Sequence, residues 1–157
     1  LHLGGAPKTH LPRWFLSHDW GVEVRFLTSA LFMEDQGMGL TVREVQACPV
    51  TVATPERAVL ELLKNVPREQ DFAEAGLIME GLATLRAELV QKLLEHCRSI
   101  KVKRLSLLLA ERFHLPWVSK RDRARINLGS GKRQLIPGGR LERKYQLTVP
   151  ADFLESE

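Results

Sequence analysis

A chain of 157 residues, 44% of them apolar and 27% charged, suffices for one globular domain with a real core. That balance excludes disorder over most of the length. The lack of any apolar run of about 18 residues excludes a membrane-spanning helix. Neither an initiator Met nor a basic-then-apolar leader opens the sequence. The abrupt start at Leu1-His2-Leu3-Gly4-Gly5 suggests a piece of something longer. Two cysteines, Cys48 and Cys97, are too few for a disulfide scaffold. Both read as small buried thiols of a reducing cytosol, so the expected location is cytoplasmic.

The net charge of +4 conceals an uneven distribution. Residues 1–97 carry nine Lys/Arg and thirteen Asp/Glu, whereas residues 98–145 carry fourteen and three. The last twelve residues are acidic, with a net −3. A basic bias over 48 residues and several elements points to an anionic partner surface.

The first twenty residues read as loop and short elements, broken by Gly4-Gly5, Pro7 and Pro12. Trp14, Phe15 and Trp20 are expected to anchor this segment onto the core. Val22 to Phe32 and Leu40 to Gln46 alternate apolar with polar residues. The glycine-containing connection Glu34-Asp35-Gln36-Gly37-Met38-Gly39 suits a hairpin between them. Val50-Thr51-Val52 adds a further short strand, giving a small antiparallel sheet.

At Thr54-Pro55-Glu56 the period changes. Thr54 is a good N-cap, Pro55 fits the first helical position, and Glu56 suits the positive end of the helix dipole. Ala58, Val59, Leu62, Leu63 and Val66 continue at helical spacing until Pro67. Three more helices are expected over 69–81, 84–97 and 100–113. Leu85, Leu89, Leu93 and Cys97 form one apolar stripe; Val102, Leu105, Leu108 and Leu109 form another, with Lys101, Arg104 and Arg112 turned outward. Beyond Leu115-Pro116-Trp117 helical spacing is lost. Ala124–Leu128 and Leu141–Val149 read as strands of a basic C-terminal hairpin, with Pro137-Gly138-Gly139 as a turn. The acidic tail is expected to fray.

Motif tests narrow the chemistry. Gly129-Ser130-Gly131-Lys132-Arg133 fails as a P-loop: Ile126 stands where the first glycine belongs, and Arg133 where Ser or Thr would bind magnesium. It remains either a loose anion nest or a solvated hairpin tip. The five histidines show no paired spacing and no CxxC exists, so no metal or other cofactor is expected. Neither GxSxG nor a Cys in an acid–base setting is present. Glu34–Asp35 reads as turn surface. An enzyme is therefore not the expected class.

What stands out is the basic series Lys120, Arg121, Arg123, Arg125, Lys132, Arg133, Arg140, Arg143 and Lys144. On an extended strand Arg121, Arg123 and Arg125 would project from one side as a row, and each guanidinium offers a fork that matches phosphate or carboxylate. The alternative is internal pairing with the acidic N-terminal half.

Two stretches carry a family likeness. Arg125-Ile126-Asn127-Leu128-Gly129-Ser130-Gly131-Lys132-Arg133, continuing through Pro137-Gly138-Gly139 to Lys144-Tyr145-Gln146-Leu147-Thr148-Val149-Pro150, resembles the AbiEi antitoxins. So does Ala53-Thr54-Pro55-Glu56-Arg57-Ala58-Val59-Leu60-Glu61-Leu62-Leu63. These antitoxins belong to bacterial type IV toxin–antitoxin systems, often tied to abortive phage infection. The resemblance implies an N-terminal winged helix that binds operator DNA and a C-terminal domain that counteracts a nucleotidyltransferase-like toxin. No residues here read as the winged helix, so the expectation is one antitoxin-like C-terminal domain spanning 1–157. The expected fold is α+β: a small antiparallel sheet packed on about four helices, with a C-terminal basic β-hairpin. The expected partners are a cognate nucleotidyltransferase toxin and DNA. The runner-up function is a plain nucleic-acid-binding regulator.

Overall fold

The core begins where the helix-start signal lies. In the computed structural model, which describes residues 2–5, 8–28, 30–33 and 37–155, helix α2 spans Pro55–Asn65 with Pro55 in its first turn. Thr54 occupies the N-cap in extended backbone, yet its side chain makes no capping hydrogen bond. Glu56 turns inward. Its Oε1 accepts from Arg86 N at 3.0 Å and from Arg86 Nε at 2.9 Å. Arg86 is the N-cap of α4 (Ala87–His96), so this carboxylate joins the starts of two helices.

Helix α3 (Phe72–Glu80) starts at Asp71, whose carboxylate accepts from Glu74 N at 3.0 Å. Helix α5 (Ile100–Arg112) starts at Ser99, whose Oγ accepts from Val102 N at 3.3 Å. Each such cap satisfies a backbone donor that the first turn leaves open. All four helices lie where their apolar spacing placed them. α5 is the central one: residues 102–110 are all buried, and it touches α2, α3 and the C-terminal strands. Burying leucines such as Leu63, Leu93, Leu105 and Leu109 stabilises the fold by about 1.5–3 kcal/mol each.

Encirclement of α5 overturns the outward placement of its cations. Lys101 is half-buried, and its Nζ donates to the carbonyls of Lys64 at 2.5 Å and Val66 at 2.6 Å. Those are open acceptors at the end of α2, where a cation also meets the negative end of the dipole. Arg104 is buried outright. Arg112 is half-buried, with its guanidinium 5.6 Å from the Phe153 ring.

Strand pairing departs further from expectation. Strand β3 (Leu40–Val45) pairs antiparallel with β4 (Cys48–Ala53), from Leu40↔Ala53 to Val45↔Cys48. The turn residues Gln46 and Ala47 have φ of 49° and 63°, as a tight two-residue hairpin requires. This short closure wins over the longer connection at 34–39, of which Glu34, Asp35 and Gln36 lie outside the described residues. The strand expected over Val22–Phe32 shrinks to β2 (Arg25–Thr28). It pairs in parallel with β1 (His2–Gly5) across helix α1 (Arg13–Ser17) and not with β3. Cys48 is exposed on β4, whereas Cys97 is buried. Trp14, Phe15 and Trp20 stack on one another, with Phe15 and Trp20 centroids 4.6 Å apart. They do not anchor in the core, for Trp14 is 66% exposed and Trp20 41%.

The C-terminal third also rearranges. Ala124–Leu128 is no strand: the chain makes 3-10 turns at Pro116–Lys120 and Arg123–Arg125, the second capped by Asp122. β5 (Arg133–Gln134), β6 (Arg140–Glu142) and β7 (Leu147–Val149) form a sheet in the order β5-β7-β6. β5 is parallel to β7 and β6 antiparallel to it. The alternating run 141–149 is therefore a hairpin in itself. Glu142 folds it, its carboxylate accepting from Lys144 N at 2.9 Å and Tyr145 N at 2.6 Å. Instead of fraying, the tail forms helix α6 (Ala151–Glu155), whose Phe153 ring lies 5.0 Å from Phe72 of α3. The architecture is α+β, with small sheets around a helical core.

Candidate functional site

Register decides which cations meet. Arg133 on β5 and Glu142 on β6 both pair with Leu147 of β7. Lys132, Arg133, Arg143 and Lys144 therefore gather at one end of the sheet, around Tyr145 and Gln146. Arg123 joins them, its guanidinium 5.6 Å from the Tyr145 ring; Lys144 Nζ lies 5.5 Å from the same ring. Among the described residues, Lys132, Arg133 and Arg143 form no ion pair, and all three are exposed.

Glu111 of α5 supplies the counter-charge. Lys144 Nζ donates to its Oε2 at 2.5 Å, and Arg121 Nη2 donates to its Oε1. Burial pushes the Glu111 carboxyl up, but Lys144 and Arg121 outweigh it and hold the group below its usual range. Burial, reinforced by this carboxylate, raises the Tyr145 phenol. The ring thus stays neutral as a spacer between cations. The end of the sheet is an arrangement of several cations around the Glu111 and Glu142 carboxylates, with the spare positive charge facing water.

Beneath it lies a support that the sequence pattern concealed. Arg104 spreads its guanidinium over the loop 128–131 and the β7 approach. Its Nε donates to Leu128 O at 2.8 Å, and its Nη1 to Gly131 O at 2.7 Å and Gln146 O at 3.4 Å. The loop's carbonyls thus point inward to a fixed cation. Gly129 adopts φ +61° against the Ile100 side chain. The loop is held at both Leu128 and Gly131, so a loosely swinging hairpin tip does not describe it. Arg104 sits inside an apolar helical run. The unbroken stretch Leu107-Leu108-Leu109-Ala110 was the available sign that α5 is enclosed and that cations on it need internal acceptors.

The remaining basic residues separate. Arg121, Arg123 and Arg125 do not form a row, because the backbone turns at 123–125 in place of extending. Arg121 is largely buried between Glu111 and the Val118 carbonyl, to which its Nη1 donates at 2.7 Å. Arg125 reaches Glu95 of α4 at 2.9 Å. Arg140 stands at the opposite end of β6, opposite Val149, and pairs with Glu155 of α6 at 3.3 Å. Lys120 is exposed at the end of the first 3-10 turn. Internal ion pairing therefore takes Arg121, Arg125, Arg140 and Lys144, and among the described residues leaves Lys120, Arg123, Lys132, Arg133 and Arg143 without an ion pair.

Glu111, His114 and Ser119 line one shallow depression of about 340 Å³. Ser119 Oγ, however, donates to Pro116 O at 2.9 Å, and both Glu111 oxygens are taken by cations. Among the described residues no three His, Cys, Asp or Glu side chains gather to hold a metal. Nor is any described helix long and apolar enough to cross a membrane.

The family model described as "Transcriptional regulator, AbiEi antitoxin, Type IV TA system" matches residues 1–150. The chain belongs to the AbiEi antitoxin family. The match covers the aromatic N-terminal segment, the helical core and the basic end of the sheet alike. No curated protein and no solved structure gives a match.

Proposed function

We propose that this AbiEi-family chain neutralises a nucleotidyltransferase-like toxin, and that the basic end of its C-terminal sheet contacts nucleic-acid phosphates in doing so. The observation that carries the antitoxin reading is the family match over residues 1–150. What supports the phosphate contact is the exposed group Lys132, Arg133 and Arg143, with Arg123 beside Tyr145. Arginine presents parallel donors to phosphate oxygens, and glycine-containing loops let a backbone approach closely.

Growth rescue tests it: this chain is co-expressed with the toxin encoded beside it. The expected result is rescue by the wild-type chain and its loss in a soluble, folded Lys132→Glu/Arg133→Glu/Arg143→Glu variant. Failure of the folded wild-type chain to rescue would overturn the antitoxin reading. Rescue that survives the triple variant would remove the basic end from the mechanism.

The second reading, a nucleic-acid-binding regulator module, is favoured by the same unpaired cations and by the family's description as a transcriptional regulator. It differs in requiring affinity for DNA with no toxin present.

A further inference from the structure

Helix α3 is apolar on two faces. Phe72, Ala75, Gly76 and Met79 are buried against the core, yet Leu77 is 69% exposed and Ile78 38%. A helix with apolar residues all round is ordinarily covered. On the outer face Ala73 and Leu77 lie one turn apart, and Glu74 and Glu80 stand three residues either side of Leu77. Asp71 and Glu69 extend the acidic margin, and α3 carries no cation. The outer face is therefore an apolar strip in a negative rim.

The complementary surface is present on the same chain. The basic end of the C-terminal sheet exposes Lys132, Arg133 and Arg143 without ion pairs among the described residues, and residues 98–145 hold fourteen Lys/Arg against three Asp/Glu. The two surfaces cannot meet within one copy. α6 packs on β6 and its Phe153 contacts Phe72 of α3, and Arg140 at that end of β6 pairs with Glu155 of α6. Lys132 and Arg143 lie at the opposite end of the sheet.

We infer that the outer face of α3 docks on the basic end of the C-terminal sheet of a second copy, head to tail. One helical face against one sheet end makes a small contact, so the association is weak and salt-sensitive. Because the surfaces differ, the contact is heterologous and does not close on itself, and short open chains form.

Sedimentation of the purified chain without nucleic acid tests this independently of the proposed function. The wild-type mass is expected to rise with concentration at about 50 mM salt and fall to the monomer at about 500 mM, where screening is nearly complete. Leu77→Lys, Glu74→Lys/Glu80→Lys and Lys132→Glu/Arg143→Glu alter exposed positions. Each is expected to stay monomeric with an unchanged circular-dichroism spectrum. Mixing Leu77→Lys with Lys132→Glu/Arg143→Glu restores one intact pair of surfaces, so a 1:1 dimer and nothing larger is expected. A wild-type chain that is monomeric throughout overturns the inference. So does self-association that persists in folded Glu74→Lys/Glu80→Lys, or a mixture that stays monomeric.

Discussion

Single residues in this protein act mainly by tying elements together. Glu56 does so most directly: it is 3% exposed, while its partner Arg86 is largely in solvent. The Arg86 guanidinium holds the Glu56 carboxyl down, against burial, from 4.5 to about 2. A carboxyl lowered on folding stabilises the native state above its unfolded pKa, and that contribution is lost as pH falls through the folded one. The window here runs from 4.5 down to about 2. With Arg86 exposed to screening, the expected size is about 1–2 kcal/mol. Urea midpoints of wild type and Glu56→Gln should differ near neutral pH and converge as the pH approaches about 2. A gap that is constant over that range would show that Glu56 acts by packing alone.

At the scale of elements, helices were legible and strand partners were not. The Thr54-Pro55 start read on the chain is the one the structure uses, and Asp71 and Ser99 cap helices that apolar spacing alone had placed over 69–81 and 100–113. Helix formation is a local matter of cap and period. Strand pairing is a competition between turns, and Gln46-Ala47 carries no Gly or Asn to announce a hairpin, yet both residues take positive φ. The run 141–149 looked continuous because alternation does not register that Glu142 can cap its own turn. Of the candidate site, the residue types were readable, but their grouping depended on the β5-β7-β6 register, and the Arg121–Arg123–Arg125 row failed with the strand that would have carried it. The helical core also offers a graded test. Leu105 is completely buried in α5, whereas Leu77 points outward from α3. Leu105→Ala should cost about 2–5 kcal/mol through lost packing, and Leu77→Ala less than about 0.5 kcal/mol. Equal losses in denaturant unfolding would contradict the arrangement of α3 on α5.

For the molecule as a whole, charge is sorted by position. Asp71, Glu74 and Glu80 collect at α3 and its cap, and Lys132, Arg133 and Arg143 at the far end of the C-terminal sheet. The internal pairs of Glu111, Glu95 and Glu155 consume part of the positive charge and fix the sheet and the turns before it to the helices. What is left over has a quantitative consequence for the proposed nucleic-acid contact. Each phosphate neutralised releases condensed counterions, so affinity falls linearly with salt on logarithmic axes, by about 0.9 per contact on duplex DNA. With Arg123, Lys132, Arg133 and Arg143 as the contacting group, the expected slope is about −3.6. Lys132→Glu/Arg133→Glu/Arg143→Glu should reduce its magnitude by at least about 2.7, leaving little measurable binding near physiological salt. Arg140→Glu, which alters a cation already paired at the other end of β6, should leave the slope nearly unchanged. Fluorescence anisotropy with a labelled duplex across a salt series reads both. A slope that responds to Arg140→Glu by about a third of its response to the triple variant, in proportion to the charge each reverses, would mean that net charge, and not the gathering of cations around Tyr145 and Gln146, governs the contact.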